Sequence, residues 1–239
     1  MSKQSPLPSD APASRSIQSF VIGSLIWCWK SGIWIVGIIF LAICGLTAPM
    51  TTHCRRKPDQ TEAVNNARQI GMALFEFQEK YGRMPDVTTI ALVKQDTATD
   101  LNLGTKSSND FFRQLMAVAI TQSEPMFYAK IAGTHKPDGI FTKAEALKKG
   151  ECGFTYFTGA LKTDNLGRPI MVTPMIPGTH QFDPKPFNGK AVILKADNSV
   201  TSLPIIIKTG HVMVGGLDLM DPSNPIWDGH PPVVAWPDL

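Results

Sequence analysis

The sequence predicts an α+β chain. It expects an N-terminal transmembrane helix, an amphipathic helix packed on a small antiparallel β-sheet, an extra helix and a loop-rich C-terminal tail. Three observations carry this expectation. Gly32 to Ala48 is apolar and holds no charged residue. Ala63, Ala67, Ile70, Leu74, Phe77 and Tyr81 recur at alternating spacings of four and three, which draws one apolar stripe along a helix. In GKAVILKADNSVTSLPIII, two apolar runs flank Asp197 and Asn198, residues suited to a two-residue hairpin turn.

Composition sets the outer limits. With 43% hydrophobic and 18% charged residues, the chain has enough apolar surface for a packed core, which excludes global disorder. A formal charge of +3 on scattered basic residues leaves no electrostatic footprint for nucleic acid. The 239 residues divide into a disordered N-terminal tail over 1–19, a transmembrane anchor over 20–48 and a globular domain over 59–239.

Met1 to Arg15 is rich in Ser, Pro and Ala without periodicity, the composition of a flexible leader. A spanning helix needs about 20 apolar residues, and about 17 at the lower end. Gly32 to Ala48 meets the lower bound, and Trp27, Trp29 and Trp34 beside Lys30 suit an interfacial belt. A cleaved signal peptide fits less well, because the leader is long and GLTAPM puts Leu where a small residue is needed. Ile43 before Cys44 argues against lipid modification, and a helix buried in a water-soluble core would show a polar stripe. Basic residues near the span (Lys3, Arg15 and Lys30 before; Arg55, Arg56, Lys57 and Arg68 after) mildly favour a cytoplasmic C-terminal part. Cys28 and Cys44 act as small hydrophobes; Cys54 and Cys152 are the only pair able to meet in an oxidised domain, and whether they are bridged stays open.

At Pro58 the chain changes character. Asp59 and Glu62 form a capping box that starts a helix, Gly82 ends it, and Pro85 prevents its resumption. Asn66, Gln69, Glu76 and Lys80 take the solvent face. Residues 87–110 read as a polar loop, and SSNDFFRQLMAVAI as a second helix capped by Ser108 or Asn109. SEPMFYAKI reads as a short extended segment and TKAEALKKG as a short helix closed by Gly150. CGFTYFTG and RPIMVTP read as strands around the turn KTDNLG, with Pro169 at an edge or strand start. The proline-rich tail from His211 is expected to wrap over the sheet as loop.

NNARQIGMALFEFQEKYGRMPD resembles the segment N-N-x-x-Q-I-G-x-A-L-x-x-[YF]-x-x-x-Y-G-x-x-P of type IV pilin-like and type II secretion pseudopilin-like proteins of the Planctomycetes and Verrucomicrobia kind. The ADNSV turn resembles that family's C-terminal D-G-S-V hairpin, with Asn198 where glycine is usual. The resemblance implies a pilin-like fold with the globular domain outside the cytoplasmic membrane, against the charge count. It departs at the head of the membrane helix: KSGIWIVGIIF has Gly32 but no following glutamate, so the family's usual processing and polymerisation are not expected.

No G-x-S-x-G, H-E-x-x-H, P-loop or G-x-G-x-x-G occurs, and five histidines are dispersed. Asp138, Asp228 and His230 are the one constellation able to suggest a metal, and Asp218, Asp221 and Asp228 a calcium loop. Both are read as turn chemistry and solvated carboxylates. Phe75, Phe77 and Tyr81 are read as core rather than as a ligand-stacking set, with Phe75 off the main stripe. No catalytic, cofactor-binding or metal residue is assigned, and no cofactor. The expected function is a non-catalytic, membrane-anchored pilin- or pseudopilin-like structural protein, a subunit or scaffold of a pilus or type II secretion-type assembly. The alternative is a stand-alone surface adhesin or ligand-binding domain. Expected partners are the membrane, other pilin-like or secretion-system proteins and further copies of the chain, with no nucleic acid. The expected location is a bacterial inner membrane, single-pass, with the C-terminal domain in the periplasm or at the cell surface.

Overall fold

The computed structural model describes residues 56–239 apart from 143–144 and 160–164. Helix α1 (Arg56–Tyr81) buries Ala63, Ala67, Ile70, Leu74 and Phe77 completely, while the Tyr81 ring packs tilted against Phe77 with the ring centres 4.5 Å apart. The helix starts upstream of Asp59, so that residue does not cap it. Asp59 lies in the first turn, where a carboxylate suits the helix dipole, and pairs with Lys130 at 3.1 Å. Asn66, expected on the solvent face, is buried; its Nδ2 donates to the carbonyls of Pro125 (3.0 Å) and Tyr128 (2.8 Å). Gly82, at φ +78°, closes the helix by donating its N–H to Gln78 O.

Residues 87–110 are not the expected loop. They hold helix α2 (Thr89–Thr97), and local bonds explain it. Asp86 Oδ1 accepts the N–H groups of Thr88 (2.7 Å) and Thr89 (3.0 Å) at its start, and Asp96 near its end pairs with Lys80 at 2.6 Å. Helix α3 (Ser108–Ala117) is capped by Ser107, one residue earlier than expected, in a reciprocal capping box with Asp110. Glu124–Phe127 forms a 3₁₀ turn in place of an extended segment. The described part of the expected helix over 142–150 forms turns ending at Gly150, φ +82°.

Seven strands follow: β1 (Thr155–Thr158), β2 (Pro169–Thr173), β3 (Lys190–Lys195), β4 (Val200–Ile206), β5 (His211–Val214), β6 (Leu217–Asp218) and β7 (Val233–Ala235). They form one antiparallel sheet in the order β6-β5-β4-β3-β2-β1-β7, curled into a half-barrel. The expected fold class is corrected here. The small sheet is a seven-stranded one, because the tail expected as loop supplies β5, β6 and β7. Its glycines and prolines sit in the turns between those strands: Gly215 and Gly216, at φ +63° and +87°, make the two-residue β5–β6 turn. Among the described residues no helix is long and apolar enough to cross a membrane, and the span expected over 20–48 lies outside them.

The sheet separates two cores. On the helix side, Val192 and Leu194 pack with Ile70, Leu74, Phe112 and Phe127. On the far side, Ala191 and Ile193 pack with Phe157, Phe182, Leu219 and Trp227. Phe75 packs at the edge of the helix-side core. Gly71 sets how closely α1 approaches the β3–β4 hairpin: a Cβ there would lie 2.2 Å from Asn198 Oδ1 and 2.9 Å from Leu194 Cδ1. Alanine is the better helix former by about 1 kcal/mol, but the clash outweighs it. In urea denaturation of the full chain, Gly71→Ala is expected to lose about 1–2 kcal/mol net. Adding Asn198→Gly, which suits φ +61° at that turn, should recover much of the loss. A Gly71→Ala variant more stable than the parent would refute the close approach.

Candidate functional site

Two places in the described structure gather chemistry: a cluster of carboxylates on the loops beside α3, and a cavity on the far face of the sheet. Glu124, Asp138 and Glu151 bring carboxylate oxygens within 4.8 Å of one another, the arrangement a divalent cation would use. Glu124 and Glu151 are fully buried. Each carboxylate oxygen is already engaged. Glu124 accepts from the backbone N–H of Leu147 (2.7 Å) and Gly139 (2.9 Å), and Glu151 from Lys148 (2.7 Å) and Asp138 (3.1 Å). Asp138 accepts from Ile140 N–H (2.9 Å) and pairs with the Lys148 ammonium at 2.7 Å. These carboxylates clamp an irregular loop by satisfying its backbone donors.

Electrostatics follow from that packing. Burial pushes the Glu124 carboxyl above its ordinary range, with the Leu147 and Gly139 N–H groups opposing and the Glu151 charge reinforcing. The Lys148 ammonium holds Asp138 below its ordinary range, and Asp138 and Glu145 together hold Lys148 more firmly protonated. Nearby, Arg113 donates to the carbonyls of Ala146 (2.7 Å) and Leu147 (2.9 Å), and Asn109 to Leu147 (3.1 Å) and Lys148 (3.0 Å).

The residues singled out in the sequence are dispersed. Asp138 belongs to the clamp, whereas Asp228 accepts the Asn165 N–H (3.0 Å) and His230 is exposed. Asp218 pairs with His211, and Asp221 accepts from the Ser223 N–H (2.8 Å), so the proposed calcium loop has separate local duties. His135 places Nε2 3.0 Å from Lys149 O. Cys152 is a free, buried thiol whose pKa burial pushes up to about 11, so it is a poor nucleophile at neutral pH; Cys54 lies outside the described residues.

The far-face cavity was not foreseen. It measures about 230 Å³ and opens at the surface. Ile193 and Lys195 of β3, Leu203 of β4 and Val214 of β5 wall it, with Leu219, Ile226 and the β5–β6 turn at Gly215. Lys195 is its one charged lining residue. Arg168, between the lining residues Gly167 and Pro169 in the chain, is itself buried, with its guanidinium 5.5 Å from the centre of the Trp227 ring. Protein cores close-pack, and an apolar cavity of about 150 Å³ already holds benzene. One signal in the sequence pointed here: Ala191, Ile193 and Lys195 share a strand face, an apolar row ending in a cation. The strands of the opposite wall went unread, so the row had no cavity to line.

Comparison with protein-family models, with curated proteins and with solved structures finds no match. Nothing among these findings identifies a pilin-like protein or a secretion-machine subunit. The sheet-rich, curled fold overturns the expected pilin-like description; among the described residues no helix is long and apolar enough to cross a membrane, and the single-pass anchor expected over 20–48 lies outside them.

Because the folded state keeps the Glu124 proton above the ordinary value of 4.5, its contribution to stability is full below that value and is lost as pH rises through the folded pKa. In urea titrations between about pH 4.5 and 7.5, the stability of the parent relative to Glu124→Gln should decline with pH. A difference that stays constant across that range would show that Glu124 titrates normally.

Proposed function

We propose that residues 56–239 form a non-catalytic ligand-binding domain that takes a small, mainly apolar molecule into the far-face cavity. One observation carries this reading: a cavity of about 230 Å³, walled by Ile193, Leu203, Val214, Leu219 and Ile226, beside the far-side core. Apolar walls with few polar groups are the usual make-up of a small-molecule site. The carboxylate cluster supports a binding rather than a catalytic role, since its acids hold backbone N–H groups instead of facing an open cleft.

The cavity also bounds the ligand. Scaling from benzene in about 150 Å³, it suits about nine or ten non-hydrogen atoms. At about 0.5 kcal/mol per atom, such a ligand binds with a Kd on the order of 0.2 mM. At ten times that concentration it stabilises the fold by about 1.4 kcal/mol, an increase in Tm of about 3–5 °C. In thermal melts of the full chain, 1-octanol and octanoate serve as probes. The parent should show this increase with at least one of them, and Leu203→Trp, which fills the cavity, should not. Equal shifts in parent and variant, or none in the parent, would count against the site.

A further inference from the structure

We infer that the cavity selects a singly charged anionic amphiphile, a medium-chain monocarboxylate whose chain lies between the apolar walls and whose head meets the Lys195 ammonium. This rests on the reading of the cavity as a ligand site.

Position supports it. Side chains alternate along a strand, so Lys195 shares a face with Ile193 and Ala191 and runs its aliphatic stem along the cavity wall. Its residue is only partly exposed, so the ammonium sits where the apolar lining meets water. No ion pair holds it among the described residues. Asp197, two residues on, lies within electrostatic reach of Lys195 without an ion pair and accepts the Ser199 N–H at 2.9 Å, while Asp218 pairs with His211. No acidic residue lines the cavity.

The charge of the head follows from the same count. A phosphate monoester carries close to two charges and is held by several donors, whereas the lining supplies one ammonium, a point charge on a flexible stem. A carboxylate matches it. Gly215 of the β5–β6 turn lines the cavity, and no atom lies within 4 Å of where a Cβ on it would sit. Octanoate, with ten non-hydrogen atoms, is the size that the cavity holds at about benzene's packing.

The test measures binding of octanoate, 1-octanol and octylamine to the full chain by calorimetry, with Lys195→Met, Lys195→Arg and Leu203→Trp variants. Octanoate is expected to bind the parent about two- to fivefold more tightly than 1-octanol, and octylamine most weakly. Lys195→Met should bring octanoate to the affinity of 1-octanol while leaving 1-octanol unchanged, and Lys195→Arg should restore most of the preference. Equal binding of octanoate and 1-octanol, unaffected by Lys195→Met, overturns the anion selectivity while leaving the cavity as a site. No binding of any probe overturns the cavity reading itself, and with it the selectivity. Binding that survives Leu203→Trp does the same.

Discussion

Strand β3 is buried on both faces, and its alternating side chains serve two different layers. Val192 and Leu194 enter the core beneath α1, while Ala191 and Ile193 enter the core on the opposite side. A strand in that position has to be apolar throughout, and it needs cover on each side. On one side the cover is α1, a helix whose stripe of Ala67, Ile70, Leu74 and Phe77 forms continuous ridges. On the other no α-helix lies among the described residues, and Phe182 and the segment carrying Leu219 and Trp227, with its short 3₁₀ turn at Pro225–Trp227, do the covering. Leu219 and Ile226 of that segment form part of the cavity wall.

The same division explains where the polar chemistry went. The chain between α3 and β1 has little regular structure, so its backbone donors and acceptors need other partners. Glu124 and Glu151 take its N–H groups, and Asn109 and Arg113 take its carbonyls. Asn109 also accepts the Asp238 N–H at 3.0 Å, which ties the end of the chain to the start of α3. Asn66 does comparable work for the 3₁₀ turn. Buried acids and amides in this domain therefore report on loop architecture, and the opening suited to a ligand is apolar with a single cation.

Legibility followed the range of the interactions involved. The α1 stripe, its termination at Gly82 and the hairpin at Asn198 are short-range patterns, visible as spacing and turn chemistry. The start of α1, the burial of Asn66 and the existence of α2 were misread, because each depends on a group distant from the pattern itself. Asn66 looks like a solvent-face residue until Pro125 and Tyr128 bring their carbonyls to it. α2 lacks a clear apolar period, and contacts at both ends hold it: Asp86 at the start, and Lys80 and Tyr81 on Asp96 near the finish. The seven-stranded sheet was missed for a related reason. β5, β6 and β7 are two to four residues long and set among glycines and prolines, so each is too short to show alternation.

The candidate site shows the same boundary more sharply. Residue order alone determined that α1 would bury one stripe, that β3 would be apolar, and that Lys195 would continue the face of Ile193, because period and side-chain alternation are local consequences of backbone geometry. Tertiary structure alone decided that Val214, Leu219 and Ile226 would stand opposite that face and leave a space between. It also decided that Glu124, Asp138 and Glu151 would converge although a loop separates them in the chain. Pairing between distant segments is selected by the burial of the whole surface at once, and no window of sequence contains that sum.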